Sequence, residues 1–213
     1  IQLTFNLAHK WKTEDGISVI GSAFLDNRLL NESDLIIYFQ SIKNENDFTI
    51  RLEKLSGHFS VIIETEKNIL IAVDSIRTFP LFIKQEESNL LISDNIYDAN
   101  SNWNSIEIEN FKKVYCSLEN NTLLKSWKQL QAGEYTIIDT QNTTIEIKSY
   151  YHHQKSESEN ESENTKTHCM LLDEELINKA IQYANNRTIL IPLSGGYDSR
   201  YLLALLKENN YPN

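Results

Sequence analysis

Six consecutive residues combine small, hydroxyl and carboxylate side chains in an order suited to binding phosphate: Ser194-Gly195-Gly196-Tyr197-Asp198-Ser199. They follow an apolar run, Thr188–Leu193, which we predict to be a strand, and they precede residues with helical periodicity. Glycines let the backbone approach an anion, and the free N–H groups of a helix's first turn point at it. The serines add hydroxyl donors, and the carboxylate of Asp198 could bind Mg²⁺. The lysine of a Walker A loop is missing, so the usual kinase or GTPase loop is excluded.

An ordinary helix start is the alternative interpretation of these residues. Ser194 or Asp198 would then cap the helix, and Gly195-Gly196 would form a tight turn. Arg200 follows the motif directly. It is either a solvated helix arginine or a group that reaches a phosphate or a substrate carboxylate.

The hexapeptide resembles the PP-loop of ATP pyrophosphatases, enzymes that split ATP between its α and β phosphates. The resemblance implies ATP and Mg²⁺ as cofactors, with Asp198 holding the metal together with ATP and Leu193 lying near the adenine. The residues implied to bind ATP or pyrophosphate are Leu193, Ser194, Gly195, Gly196, Asp198 and Ser199.

Composition excludes several classes of protein. The 213 residues carry a net charge of −10, which argues against a nucleic-acid surface because phosphate neutralisation needs clustered Lys and Arg. No apolar run is long enough to cross a bilayer. Cys116 and Cys169 lie far apart and form no CxxC pair, so we predict buried thiols in a reducing compartment. We therefore expect a soluble, cytoplasmic protein.

The first 151 residues show mostly strand patterns. Glu32 to Ile42 is the exception, because its apolar residues share one helical face. Paired apolar runs separated by polar tips predict three hairpins: 59–63 with 68–73, 81–83 with 90–92, and 134–138 with 144–147. Hairpins without intervening helices imply antiparallel sheets and an α+β class.

A shift in composition divides the chain. We predict a first domain over 1–151, an acidic flexible linker over 152–168 containing SESENESENTK, and the start of a second domain over 169–213, with a helix from Leu172 to Asn186. A single strand and two helices are too few to bury the core of a nucleotide-binding domain. We therefore expect the chain to be a fragment of a longer protein.

Four further segments, in order, resemble the asparagine synthetase and β-lactam synthetase superfamily: Gly57-His58-Phe59, the turn from Asp74 to Leu81, Leu130 to Tyr135, and Tyr150-Tyr151-His152. The match is partial, since Val73 stands where the family has Arg and Arg77 where it has Gly. The resemblance implies an N-terminal glutaminase-type domain with an Ntn-hydrolase-like α-β-β-α sandwich. It further implies the start of an α/β PP-loop domain, of the adenine nucleotide α-hydrolase-like kind.

The chain departs from the family in its glutaminase residues. Glutamine-hydrolysing members use an N-terminal Cys as nucleophile, whereas the first residue here is Ile1. The family's Asn-Gly-Glu, which binds glutamine, falls at Ile20-Gly21-Ser22, where Ser22 has no charge to meet the substrate's ammonium. We assign no catalytic residue and expect this domain to be an inactive scaffold.

Other polar residues in the first domain are expected to be structural. Asp74 and Arg77 are placed to form an i,i+3 ion pair that holds the turn. His58 lies on an alternating strand. His152 and His153 point to opposite faces of a strand and cannot share a metal ion.

The resemblance implies an asparagine synthase-like, ATP-dependent ligase in the full-length protein, with this piece alone inactive. A carboxylate would be adenylated, with loss of pyrophosphate, and ammonia or an amine would then displace AMP. Two alternatives stay open: a β-lactam synthetase-like cyclase or natural-product or polysaccharide amide synthetase, and a non-catalytic binding or assembly module. The partners implied are a small-molecule carboxylate and an amine or ammonia, without nucleic acid or membrane, and with a homodimer as one assembly.

Overall fold

A computed structural model describes residues 1–86, 89–96, 102–141, 144–153 and 161–212, with the backbone alone at 86 and 161–166. The helices are α1 Glu32–Phe39, α2 Glu45–Glu53, α3 Ser105–Val114, α4 Glu161–Ala184 and α5 Tyr197–Glu208. The strands are β1 Gln2–Thr4, β2 Lys12–Glu14, β3 Ile17–Leu25, β4 Arg28–Leu30, β5 Leu55–Glu64, β6 Asn68–Val73, β7 Phe82–Glu86, β8 Asn89–Ser93, β9 Trp127–Gln129, β10 Glu134–Asp139 and β11 Ile145–Ser149.

The chain divides into two compact units, which are described separately. The first comprises Ile1–Asp26 and Leu30–His153, and the second comprises Asn27–Leu29 and Gln154–Asn213. No helix of the described residues is both long and apolar enough to span a bilayer.

The described strands form two sheets. A seven-stranded sheet runs β11-β10-β6-β5-β3-β2 with β4 on β3, and a four-stranded sheet runs β1-β8-β7-β9. The predicted hairpins β5–β6, β7–β8 and β10–β11 are confirmed as antiparallel pairs, although residues 87–88 and 142–143 of two turns lie outside the described residues. Strand β1 differs, because it pairs with β8 in parallel. The predicted α+β class with antiparallel sheets is confirmed for this unit.

Two apolar layers hold the first unit together. Ile62, Ile71 and Val73 on one face of the large sheet pack with Ile83 of the small sheet and with Leu81, which directly precedes β7. The opposite face of the large sheet is covered by α1 and α2 through Leu35, Ile36, Phe39, Phe48 and Leu52. Because successive strand residues alternate between faces, β5 and β6 contribute to both layers. Strand β6 is buried almost throughout, and β5 is buried from Phe59 to Ile63. Helix α1 confirms the helix predicted from Glu32, although it ends at Phe39 rather than Ile42.

The buried carboxylate of Asp74 organises the turn after β6. Its side chain accepts hydrogen bonds from the backbone N–H groups of Phe59 (3.2 Å), Ile76 (2.9 Å) and Thr78 (2.9 Å). Its carbonyl accepts from the N–H of Gly133 at 2.9 Å. These bonds connect the turn both to β5 and to the segment before β10.

The predicted ion pair between Asp74 and Arg77 is wrong. Arg77 adopts a left-handed φ of 58° and donates from Nη2 to Oε1 of Gln129 at 2.6 Å. Three backbone amides already occupy the carboxylate, so the arginine is directed elsewhere. Burial lowers the pKa of Arg77, and the negative charge of Glu134 only partly offsets this by raising it.

Two other predictions from sequence are corrected. Cys116 and Cys169 are exposed rather than buried, since Cys116 follows the left-handed residue Tyr115 that ends α3 and Cys169 lies on an exposed part of α4. Helix α4 begins at Glu161, so it takes up the end of the predicted linker. Glu and Lys in that stretch are good helix formers, which explains how an acidic polar segment can be helical. Residues 154–160 of the linker lie outside the described residues.

The hydroxyl groups of two tyrosines are hydrogen-bonded inside the first unit. Tyr150 donates to the carbonyl of Val73 at 2.8 Å, and burial together with the charge of Asp74 raises its pKa. Tyr135 donates at 2.8 Å to Glu45, which Lys148 also contacts at 2.8 Å. Burial, followed by this hydrogen bond, raises the pKa of Tyr135 to about 12. The contact with Lys148 is the main cause of the lowered pKa of Glu45.

Replacing Asp74 by Ala should destabilise the first unit strongly. Three backbone N–H groups lose their acceptor in a buried site, so we expect a loss of about 3 kcal/mol or more. Urea unfolding followed by tryptophan fluorescence measures it. Asp74→Asn keeps one acceptor oxygen, so its free energy of unfolding should lie between those of the parent chain and Asp74→Ala. Glu109→Ala, at an exposed ion pair, should leave stability unchanged. An unchanged unfolding midpoint in Asp74→Ala would contradict this account.

Alkaline pH should weaken the first unit in a way that depends on Tyr135. Its pKa in the folded chain lies above the value of about 10 expected when unfolded. The stabilisation is therefore complete below about pH 10 and is lost as the pH rises toward 12. Tyr135→Phe should show a shallower decline in unfolding free energy between these values. Tyr115→Phe, at an exposed tyrosine, should decline like the parent chain.

Candidate functional site

The segment before the hexapeptide has no regular secondary structure. Thr188–Leu193 forms no strand, which corrects the prediction, because a strand requires a hydrogen-bonded neighbour and none of the described residues pairs with it. Its side chains nonetheless alternate in burial: Ile189 and Ile191 pack against the small core of the second unit, whereas Leu190 is 92% exposed. That core is formed by Ile177 of α4 with Leu205 and Leu206 of α5. The helices predicted after the linker and after the hexapeptide are confirmed.

Helix α5 starts without a side-chain cap. Its N-cap residue is Gly196, and no side chain in the described part of the protein caps the first turn with a hydrogen bond. The helices of the first unit differ, because Asn31, Asn44 and Asn104 each cap a helix with a side-chain oxygen. Capping by Ser194 or Asp198, the alternative interpretation of the hexapeptide, is therefore wrong. The first-turn N–H groups of α5 are left for solvent or for a ligand.

The paired glycines leave the backbone accessible. A Cβ added at Gly195 would meet nothing within 4 Å, and one at Gly196 would meet only Oγ of Ser194, at 3.3 Å. The N–H of Gly196 donates to that same Oγ at 3.2 Å. The Ser194 hydroxyl thus lies where an acceptor oxygen can meet the loop's amides.

Ser199 is the residue of the hexapeptide that most strongly indicates a ligand. Its Oγ is buried and has no hydrogen-bond partner among the described residues. A buried hydroxyl without a partner costs about 1–3 kcal/mol, so such groups are uncommon unless another molecule satisfies them. The donor set of two serine hydroxyls and free helix amides fits an anion such as phosphate.

Acidic and cationic side chains flank the loop. Asp198 is exposed in the first turn, where its negative charge interacts favourably with the positive end of the helix dipole. Arg200 donates from Nε to the carbonyl of Gly196 at 3.0 Å and from Nη2 to the carbonyl of Gly195 at 3.2 Å. Among the described residues no group of three or more His, Cys, Asp or Glu side chains could hold a metal ion. A cation at Asp198 would therefore need ligands from a bound molecule.

An apolar cavity of about 360 Å³ adjoins the loop through Leu193. Its other lining residues are Ile189, Ile191, Leu203, Leu206, Lys207 and Tyr211. Its volume falls within the range of small-molecule pockets. Of the predicted site residues, Leu193 is among those that line this cavity.

The residues at the family's glutamine-binding position lie within β3 of the first unit. Ile20, Gly21 and Ser22 pair with Ser60, Phe59 and His58 of β5. Gly21 has a φ of 88°, and a Cβ there would lie 2.0 Å from the carbonyl oxygen of His58 and 2.6 Å from the Phe79 ring. Glycine is thus required by close packing, whatever the chemistry of its neighbours. His58 itself contacts the hydroxyl of Thr78 at 2.9 Å.

One polar cluster was not predicted from the sequence. The buried carboxylate of Asp94 accepts from the backbone N–H of Asn6 at 2.7 Å and from the indole of Trp11 at 2.9 Å, and it contacts Nδ1 of His9 at 2.7 Å. These partners are more than 80 positions away in the sequence, so no local spacing indicated the cluster. It holds the segment after β1 against the end of β8.

The chain shares a weak likeness with known structures. No family model matches it, and a search of curated proteins finds no match. Among solved structures, the allosteric regulatory enzyme of purine biosynthesis is similar at 12% identity and a TM-score of 0.39 over 66% of this chain. Glutamine phosphoribosylpyrophosphate amidotransferase from B. subtilis, complexed with ADP and GMP, is similar at 14% identity and a TM-score of 0.38 over 67%. The matches cover 30% and 31% of those chains, and likenesses at this level assign neither a family nor an activity.

Ser199→Ala should not destabilise the second unit. Removing a buried hydroxyl without a partner removes its desolvation cost, so the free energy of unfolding should stay the same or rise by up to about 1 kcal/mol. Helix unfolding followed by circular dichroism measures it. Tyr211→Phe is the control, because it deletes a 2.7 Å hydrogen bond to the carbonyl of Arg187 and should lower stability. A clear loss in Ser199→Ala would mean that this hydroxyl already has a partner.

Proposed function

We propose that this chain contains the nucleotide-binding loop of an ATP-dependent, amide-forming ligase. The observation that carries the proposal is the SGGYDS turn at the uncapped start of α5, with its open glycines and the buried, unpartnered hydroxyl of Ser199. Nucleotide phosphates match this set of donors in both charge and geometry.

Each residue of the loop receives a part in this proposal. The amides after Gly195 and the hydroxyls of Ser194 and Ser199 bind the phosphates and stabilise charge on pyrophosphate as it leaves. Asp198 holds Mg²⁺, which supplies charge neutralisation on the phosphate oxygens when bound. Leu193 and the apolar cavity beside it receive the base.

The proposed reaction joins a carboxylate to an amine. The carboxylate attacks the α-phosphate of ATP, pyrophosphate leaves, and the acyl-adenylate then loses AMP to an incoming amine or ammonia. The family resemblance of the SGGYDS loop supports this over simple hydrolysis of ATP.

We further propose that the first unit is an Ntn-hydrolase-like scaffold that has lost glutaminase chemistry. Ser22 offers no charge for the ammonium of glutamine, and Ile20 offers no side-chain hydrogen bond. This favours free ammonia or an amine carried by the substrate, as in an asparagine synthase-like enzyme without a glutaminase or a β-lactam synthetase-like cyclase.

Calorimetric titration of the chain with ATP and Mg²⁺ tests the nucleotide site. We expect magnesium-dependent binding that Asp198→Asn and Ser199→Ala each weaken by about 10-fold, since a hydrogen bond to a charged group contributes roughly 1.5–3 kcal/mol. His58→Ala, in the other unit, should bind like the parent chain. Absence of ATP uptake by the parent chain would refute the proposal.

ATP–pyrophosphate exchange by the full-length protein extends the test to the chemistry. Exchange that depends on an added carboxylic acid supports adenylation, and aspartate alone as that acid favours the asparagine synthase-like form. Binding without exchange across a panel of acids favours a non-catalytic module. Radiolabelled glutamine should remain intact, and its hydrolysis would contradict the scaffold assignment.

A further inference from the structure

We propose that Arg200 is a positioning residue, which holds the two glycine peptides of the loop with their N–H groups facing the phosphate side. The inference rests on the proposed nucleotide site and deepens it. It concerns how a flexible loop keeps its donors aligned before any ligand arrives.

The guanidinium of Arg200 binds two successive peptide carbonyls. Nε donates to Gly196 at 3.0 Å and Nη2 donates to Gly195 at 3.2 Å. The group also stacks over the Tyr197 ring, with Cζ 5.0 Å from the ring centroid. A planar guanidinium presents its donors in a fixed arrangement, so two contacts from one group restrict both peptides together.

The contact with Arg200 also fixes the direction of two N–H groups, because the peptide bond is planar. The chain contains no cis peptide bond in its described part, and in a planar trans peptide the C=O and the following N–H point to opposite sides. The carbonyl of Gly195 shares its peptide with the N–H of Gly196, and the carbonyl of Gly196 shares its peptide with the N–H of Tyr197. Both N–H groups are therefore directed away from Arg200.

The hydroxyl of Ser194 marks that opposite side. It accepts from the N–H of Gly196 at 3.2 Å, so an acceptor oxygen is already held where these donors point. Glycine has the largest conformational freedom of any residue, and a Cβ would meet nothing within 4 Å at Gly195 and only Oγ of Ser194 at Gly196, so close packing does not fix the loop. A loop ordered before binding avoids part of the entropy cost of ordering on binding.

The glycine amides themselves provide a test that does not need ATP. The chain has six glycines, so ¹⁵N-glycine labelling gives six backbone signals, and Gly195→Ala and Gly196→Ala assign two of them. In Arg200→Met we expect those two signals to shift or broaden while the other four stay in place. Unchanged signals for Gly195 and Gly196 would overturn the inference.

A second experiment distinguishes positioning of the loop by Arg200 from an effect of its positive charge alone. Lysine keeps the positive charge but lacks the planar fork that holds two carbonyls. We expect Arg200→Lys and Arg200→Met both to weaken ATP–Mg²⁺ binding about 10-fold. Binding by Arg200→Lys equal to the parent chain would instead mean that the charge alone acts, and would overturn the positioning assignment.

Arg187→Met is the matched control. Arg187 also binds backbone carbonyls, donating to those of Ala184 and Tyr183, but it lies at the end of α4 rather than at the loop. It should leave the Gly195 and Gly196 signals and ATP affinity unchanged. A parent chain that fails to bind ATP refutes the nucleotide site alone, because the glycine spectra still report whether Arg200 orders the loop.

Discussion

Every helix leaves the N–H groups of its first turn without partners inside the helix, and this constraint underlies the proposed site. In the first unit the chain meets it with asparagine side chains at Asn31, Asn44 and Asn104. At Gly196 it does not: the hydroxyl of Ser194 contacts a glycine amide, and the hydroxyl of Ser199 is buried without a partner among the described residues. The donors of α5 are therefore available to an anion, and the proposed nucleotide site depends on that availability.

The same requirement explains the turn at Asp74. Burying a carboxylate is costly unless donors surround it, and here three backbone amides do so. The bond to Gly133 extends this arrangement to a second segment. Gly21 likewise has a packing role, because a side chain there would collide with the carbonyl of His58 and the ring of Phe79.

The spacing of apolar residues predicted helices and strands well where one face of the element is buried along its whole length. Helix α1 and the three hairpins have such faces, and they were predicted within a few residues. Helix α2 was missed because only Phe48 and Leu52 are buried on it, too few to make a clear period. The cysteines were predicted to be buried from residue type alone, but exposure depends on neighbours that are distant in the sequence.

The amino-acid sequence alone determined the order of the hairpins and placed at residues 194–199 the serines, glycines and carboxylate on which the proposed site depends, because alternation and short motifs are local properties. Tertiary structure decided which polar groups have partners. It paired Arg77 with Gln129 rather than Asp74, left Ser199 without a partner, and turned Arg200 toward the glycine carbonyls. Hydrogen bonds depend on distances of a few tenths of an ångström between groups, and only the folded backbone sets those distances.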